Sequence, residues 1–283
     1  MLRLAIQSKG RLNEDSISLL DEINIRIDDY KRKLIAQARD FPLEVLYMRD
    51  DDIPQVVASG TASLGIVGLN EVEEKGAGVR IVDRLGFGDC RISLAIPKSE
   101  VYTGPQYFYG KRIATSYPNI LRKYLNDNNI NATIEEITGS VEIAPAAGIA
   151  DAIFDIVSSG GTLKTNGLVE VEKVFFSEAV LIANHNLTEE DEALLKEIMF
   201  RIDSAKFSRD KKYILMNLPE TAIKDAVKIL PSMRSPTVMP LAASGWYSMH
   251  SVVSTDVLWD KIKQLKAIGA EGILVLDVEK IIL

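Results

Sequence analysis

The chain has 283 residues, enough for two or three domains, and its 47% hydrophobic and 26% charged content is that of an ordinary globular protein. A net charge of −7 argues against a general nucleic-acid binder, whose phosphate contacts need a basic surface, but leaves room for small polyanions held by local cations and amides. One cysteine (Cys90) and two histidines (His185, His250) exclude an intrachain disulfide and a cysteine-rich zinc site, and make a multi-histidine centre hard to build.

No apolar run approaches the roughly 20 residues of a membrane-spanning helix, so no membrane association is expected. The first six residues read straight into a strand without the pattern of a secretion signal, and a cytoplasmic location is expected.

Short runs rich in Leu, Ile and Val at 2–6, 43–48, 63–67, 79–82 and 91–96 alternate with helical patterns such as 14–23 and 53–59. Buried strands separated by helices predict doubly wound α/β layers. A second α/β unit is predicted from about residue 97, with strands at 112–114, 133–137 and 152–156. Its helix opens at Pro118, with Ser116 as the expected N-cap. A long return strand is predicted over 169–183, then a helix running from Thr188 to about Ser208. The remainder reads strand (212–217), helix (219–229), strand (237–241), strand (246–253), helix (255–268) and strand (272–277). That βαββαβ order is the ferredoxin-like split unit. The expected division is a first lobe of 1–96 plus 178–208, a second lobe of 97–177, and a C-terminal domain of 209–283.

Asp151-Ala152-Ile153-Phe154-Asp155-Ile156-Val157-Ser158-Ser159-Gly160-Gly161-Thr162-Leu163 carries the strongest chemical pattern. A strand delivers two carboxylates and then a loop of small residues. Ser158, Ser159 and Thr162 offer hydroxyls, while Gly160 and Gly161 let backbone N–H groups close on a phosphate. A carboxylate such as Asp155 suits ribose hydroxyls. The competing reading is a plain Ser/Gly turn, because a glycine pattern alone is weak evidence.

Three other motifs flank strand ends. Lys9-Gly10-Arg11-Leu12 is a strand-to-helix turn with two cations, readable as an anion site or as a solvated basic turn. In Arg49-Asp50-Asp51-Asp52-Ile53-Pro54, Arg49 is a candidate cleft cation and the aspartates are expected to cap the next helix. Glu142 lies between the Gly139-Ser140 turn and Pro145, at a possible cleft mouth.

Together these motifs resemble the ATP phosphoribosyltransferase family, over essentially the whole chain. The resemblance also rests on Leu64-Gly65-Ile66-Val67-Gly68, Ile113-Ala114-Thr115-Ser116-Tyr117-Pro118 and Ser235-Pro236-Thr237-Val238-Met239-Pro240-Leu241. It implies a two-lobed core like that of periplasmic solute-binding proteins, with a C-terminal regulatory domain as in the family's long form. The implied reaction moves the phosphoribosyl group of phosphoribosyl pyrophosphate to N1 of ATP. Asp151, Asp155, Ser158, Ser159, Gly160, Gly161 and Thr162 map to the phosphoribosyl site. Lys9, Arg11, Arg49 and Glu142 map to ATP or pyrophosphate, with Asp155, Arg49 and Lys9 as the implied catalytic residues and the Arg32-Lys33 pair as a loose addition. The resemblance further implies Mg²⁺ carried by substrate rather than a dedicated metal site, inhibition by histidine (at Ser235 and Thr237) and by AMP, and dimers assembling into hexamers. Ser63 stands where the family often has Asp.

Overall fold

Leu2, Leu4, Ala5 and Ile6 are buried because their strand runs between two parallel neighbours, and a central parallel strand is covered on both faces. The computed structural model describes residues 1–27, 34–158, 160–232 and 235–282. It comprises two units, Met1–Leu194 and Leu195–Leu283. Ser159 and the Arg32-Lys33 pair lie outside the described residues.

The first unit opens with β1 (Leu2–Gln7), α1 (Arg11–Glu22), β2 (Ile35–Gln37), β3 (Leu43–Met48), α2 (Ile53–Ala58), β4 (Leu64–Gly68), α3 (Leu69–Lys75) and β5 (Arg80–Arg84). It continues through β6 (Cys90–Pro97), β7 (Arg112–Thr115), α4 (Pro118–Asp127), β8 (Thr133–Glu136), β9 (Ala152–Val157), α5 (Gly161–Thr165), β10 (Leu168–Ser177) and β11 (Ala179–Ala183), and runs into α6 (Glu189–Ser208). Two sheets form, a six-stranded one in the order β2-β3-β1-β4-β11-β5 and a five-stranded one in the order β10-β6-β9-β7-β8. Each is the core of a lobe, and the chain crosses between them after β5 and again after β10.

Close packing of helix on sheet fixes the first lobe. A Cβ at Gly65 would lie 2.7 Å from Cγ2 of Ile53 and 3.0 Å from Cγ2 of Val57, so only glycine lets α2 lie this near β4. The second lobe is centred on Phe108 and Phe154, both fully buried among Leu94, Ile113 and Leu121. Each such side chain contributes about 1.5–3 kcal/mol of burial.

The sequence-derived lobe boundary at 96/97 is corrected here. β6 pairs antiparallel with β9 and β10, so residues 90–97 belong to the second sheet. Their Leu/Ile pattern marked them as a strand but not as a strand of one sheet or the other. The predicted return strand over 169–183 is two strands, β10 in the second sheet and β11 in the first, broken at Glu178. Thr188 caps α6 as its sequence predicts, accepting from the amide of Asp191 at 3.1 Å. Among the described residues no helix is long and apolar enough to cross a membrane.

The second unit contains β12 (Lys211–Pro219), α7 (Ile223–Ile229), β13 (Thr237–Pro240), β14 (Trp246–Ser254), α8 (Leu258–Ala267) and β15 (Glu271–Asp277). The sheet order β13-β14-β12-β15, antiparallel throughout, is that of a ferredoxin-like domain. Alternation in β12 sends Ile214, Met216 and Leu218 into the core with Ala226, Met249 and Leu265.

Candidate active site

Parallel strands place their carboxyl ends, and the loops after them, on one edge of a sheet, where ligands of open α/β sheets bind. In the first lobe that edge gathers Lys9, Arg11 and Arg49. β1 and β3 run in parallel register with Gln7 beside Met48, and Ser8 N donates to Met48 O at 2.8 Å. Gln7 Nε2 reaches Asp50 Oδ2 at 3.2 Å, tying the two turns together. Arg49 is 68% exposed, with Nε 3.1 Å from Asp51 Oδ1. Arg11 is 87% exposed and 3.9 Å from Asp15, and Lys9 is exposed beside it.

A cleft of about 480 Å³ lies between the Arg49 end of this edge and the second lobe; Lys9 and Arg11 are not among its lining residues. Arg49, Asp50, Asp51, Glu71 and Lys75 form one wall, and Thr115, Ser116, Tyr117 and Thr138 belong to the other. Much of its negative charge is already engaged. Asp51 sits by Arg49 and by Lys75, 3.9 Å away. Glu71 is buried and accepts from Asn70 Nδ2 and from Tyr117 Oη, both at 2.9 Å. Burial pushes its carboxyl up to about 7, against the opposing pull of the Tyr117 hydrogen bond.

Asp155 stands near the carboxyl end of β9. Burial pushes it up to about 6, the amide of Ile156 (2.8 Å to Oδ1) pulls it down, and the charge of Glu142 pushes it up again. Sequence reading grouped Glu142 with the phosphate-facing cations; the fold brings it beside Asp155, on the 3-10 turn Val141–Ile143. Burial raises the Tyr117 hydroxyl, followed by the charge and hydrogen bond of Glu71, with a smaller push from the charge of Asp155; neither Asp155 nor the loop after it is among the residues lining the cleft.

Beyond Asp155 the chain turns through exposed Ser158 to Gly160, whose φ of 76° is the left-handed conformation glycine adopts without strain. α5 starts at Gly161, so the amides of Gly161, Thr162 and Leu163 have no acceptor within the helix. Arg91 anchors the loop, donating to Ser158 O at 3.2 Å. Its guanidinium is held by Glu170 at 2.5 and 2.6 Å, and Ser93 also donates to Glu170. Arg91 and Glu170 lie outside the motifs singled out by sequence, and no local pattern pairs residues so far apart.

Asp151 corrects the sequence reading. It precedes β9, four residues before Asp155 and therefore about 13 Å away along an extended strand. Its carboxylate takes the Arg112 amide at 2.8 Å and the Arg112 guanidinium at 3.2 Å, which hold it below the usual carboxylate range. Strand direction explains the miss: the residues flanking the two ends of one strand cannot share a site. Ser63 likewise precedes β4, at the end away from the cleft, where it donates to Asp191. Ser116 does not cap α4; its hydroxyl donates to Ile137 O at 2.8 Å. The expected cap at Asp52 makes no side-chain hydrogen bond, although Pro54 does occupy the first turn of α2. In the second unit, exposed Ser235 donates to Pro236 O, and Thr237 opens the edge strand β13.

The model of the ATP phosphoribosyltransferase family matches residues 49–204, and that of its C-terminal domain matches residues 208–280. A curated ATP phosphoribosyltransferase of Phocaeicola vulgatus is 55% identical over 283 residues, with all of both chains covered. The chain belongs to the ATP phosphoribosyltransferase family. It is a pentosyltransferase of histidine biosynthesis, and the activity implied by the sequence motifs holds. The Bacteroides thetaiotaomicron relative is 54% identical over 282 residues, again with full coverage. An ATP phosphoribosyl transferase (HisG:HisZ) complex from Thermotoga maritima matches at TM-score 0.62 and 27% identity, covering 72% of this chain and 96% of that one. A substrate-binding protein of an amino acid ABC transporter matches at TM-score 0.50 and 12% identity, over 73% of this chain and 93% of that one, which is a likeness of fold alone. The phosphoribosyltransferase core therefore has the two-lobed architecture of solute-binding proteins.

Proposed function

We propose that the chain transfers the 5-phosphoribosyl group of phosphoribosyl pyrophosphate to N1 of ATP in the interlobe cleft, with Asp155 and the loop after it as the phosphoribosyl site. The observation that carries this reading is the pairing of a cation-bearing strand edge, at Lys9, Arg11 and Arg49, with a half-buried carboxyl at the mouth of a small-residue loop. Phosphoribosyl pyrophosphate has matching parts: a polyanion, a ribose with hydroxyl donors, and a 5-phosphate.

In this mechanism adenine N1 forms a bond to C1 of the ribose as the C1–O bond to pyrophosphate breaks, with inversion. Positive charge builds on the ribose ring and negative charge on the leaving group, so the protein works by positioning and electrostatics. Asp155, ionised above about 6, orients the ribose hydroxyls and faces the developing cation. Ser158, Ser159, Gly160, Gly161 and Thr162 hold the 5-phosphate through hydroxyls and amides. Lys9, Arg11 and Arg49 take the leaving pyrophosphate and the ATP phosphates. The charge of Glu142 opposes ionisation of Asp155 but adds negative potential facing the developing cation. The attacking nitrogen carries no proton, so no general base is needed. Mg²⁺ enters as part of the substrate, chelated by pyrophosphate oxygens and keeping several waters.

The C-terminal domain is the regulatory part of this reading. It binds histidine as an inhibitor, with Ser235 and Thr237 as the contact turn; AMP is a second inhibitor, and the chain acts in the cytoplasm as dimers that assemble into hexamers. Incubation with phosphoribosyl pyrophosphate, Mg²⁺ and ATP, GTP or free bases, with and without histidine, tests the whole scheme. Product with ATP alone, suppressed by histidine, is expected. Product with a free base instead, or indifference to histidine, contradicts the corresponding half.

A further inference from the structure

α4 begins without a capping side chain of its own. Pro118 brings no N–H, and Ser116 is turned to the Ile137 carbonyl. The amides of Asn119 and Ile120 both go instead to Glu74, which sits on α3 in the other lobe. Asn119 N lies 2.9 and 3.1 Å from the two carboxylate oxygens, and Ile120 N lies 3.0 Å from Oε2. Asn119 Nδ2 donates back to the Glu74 carbonyl at 2.9 Å. Glu74 is 5% exposed, and a carboxylate so buried is tolerated only when hydrogen-bonded. Its charge also meets the positive end of the α4 dipole.

An N-cap normally comes from a Ser, Thr, Asp or Asn next to the helix. Recruiting it from the opposite lobe has a geometric consequence. The wall formed by Ser116, Tyr117 and Pro118 is tied to α3, the helix whose Lys75 lies 3.9 Å from Asp51, beside Arg49. Both walls of the cleft are thereby referred to one short helix.

We propose that Glu74 is a positioning residue that clasps the two lobes and sets the spacing between the Arg49 wall and the Tyr117 wall. On the phosphoribosyl-transfer reading, on which its kinetic part rests, this spacing keeps ATP and the phosphoribosyl donor at reacting distance. Glu74 lines the cleft, but its carboxylate is taken up by the amides of Asn119 and Ile120, so its role is to hold the walls.

Amide exchange in the full-length, ligand-free chain tests the clasp directly. E74A raises exchange at Asn119 and Ile120 by about tenfold or more, as expected when their acceptor is lost. E74Q keeps one acceptor oxygen at the same reach but loses the charge and the second acceptor, so it falls between wild type and E74A, whereas E74D, one methylene shorter, behaves like E74A. Turnover follows the same order, with E74A and E74D losing about a hundredfold in kcat/KM through misplacement and with the shape of the pH profile unchanged. Unchanged exchange in E74A, or an E74D that outperforms E74Q in turnover, overturns the proposal. If E74A does not fold, the comparison of E74Q with E74D decides alone. A wild-type chain that fails to use ATP counts against the phosphoribosyl reading only, because the order of exchange is read without substrate.

Discussion

The Tyr117 hydroxyl on the second lobe donates a 2.9 Å hydrogen bond to Oε1 of Glu71 on the first. Asn70 donates to the same oxygen and is itself bonded to Ser177, where the chain crosses between the lobes. The two lobes therefore share a buried polar network as well as a cleft.

That network makes stability depend on pH. Glu71 and Asp155 hold their protons more tightly when folded than when unfolded, with values of about 7 and about 6. Each contributes stability that is complete below the ordinary carboxyl range and is lost as pH rises through its folded value. Thermal unfolding followed from about pH 5 to 8 should show a falling Tm, and E71Q, which cannot ionise, should flatten the upper part of that fall. The Glu71 contribution is on the order of 3 kcal/mol. An E71Q profile parallel to wild type contradicts the assignment.

Arg49 is mostly exposed, and its partner Asp51 is shared with Lys75, so it is free to turn to an incoming polyanion. R49A should leave stability within about 0.5 kcal/mol of wild type. The same variant should lose about 2–3 kcal/mol in kcat/KM for phosphoribosyl pyrophosphate, the scale of a lost charge-assisted hydrogen bond. Steady-state kinetics and a thermal scan on one preparation separate the two effects.

On the proposed reading, histidine control belongs to the C-terminal unit. T237V together with S235A should weaken histidine inhibition at least about tenfold, the loss expected when a polar ligand loses hydrogen-bond partners worth about 1.4 kcal/mol. Uninhibited turnover should stay unchanged. Inhibition curves for the double variant that overlay wild type would move the effector site elsewhere.

Strand periodicity, the βαββαβ order of the C-terminal domain and the loop after Asp155 were all legible in sequence, because each is local. What was not legible depends on pairing across long separations. Residues 90–97 read as a strand, yet only their hydrogen bonds to β9 and β10 assign them to the second sheet. Ser116 has the chemistry of an N-cap, yet Glu74 from another helix takes the amides it was expected to bond. Glu71 and Glu74, three apart on α3, belong to no motif of the sequence; burial against the second lobe makes them interlobe contacts. Asp151 and Asp155 looked equivalent beside one loop until strand direction separated them.

That separation supplies the most direct test of the central claim, that Asp155 rather than the carboxylate before β9 serves the phosphoribosyl group. The measurement is kcat of D155N and D151N side by side, each with a thermal scan. D155N should fold normally and lose about 10²–10³ in kcat, the scale of one removed electrostatic contact to the transition state. D151N should keep near wild-type kcat and lose about 0.5–1 kcal/mol of stability from its weakened pair with Arg112. Near-normal turnover in D155N, or a D151N as impaired as D155N was expected to be, would contradict the account.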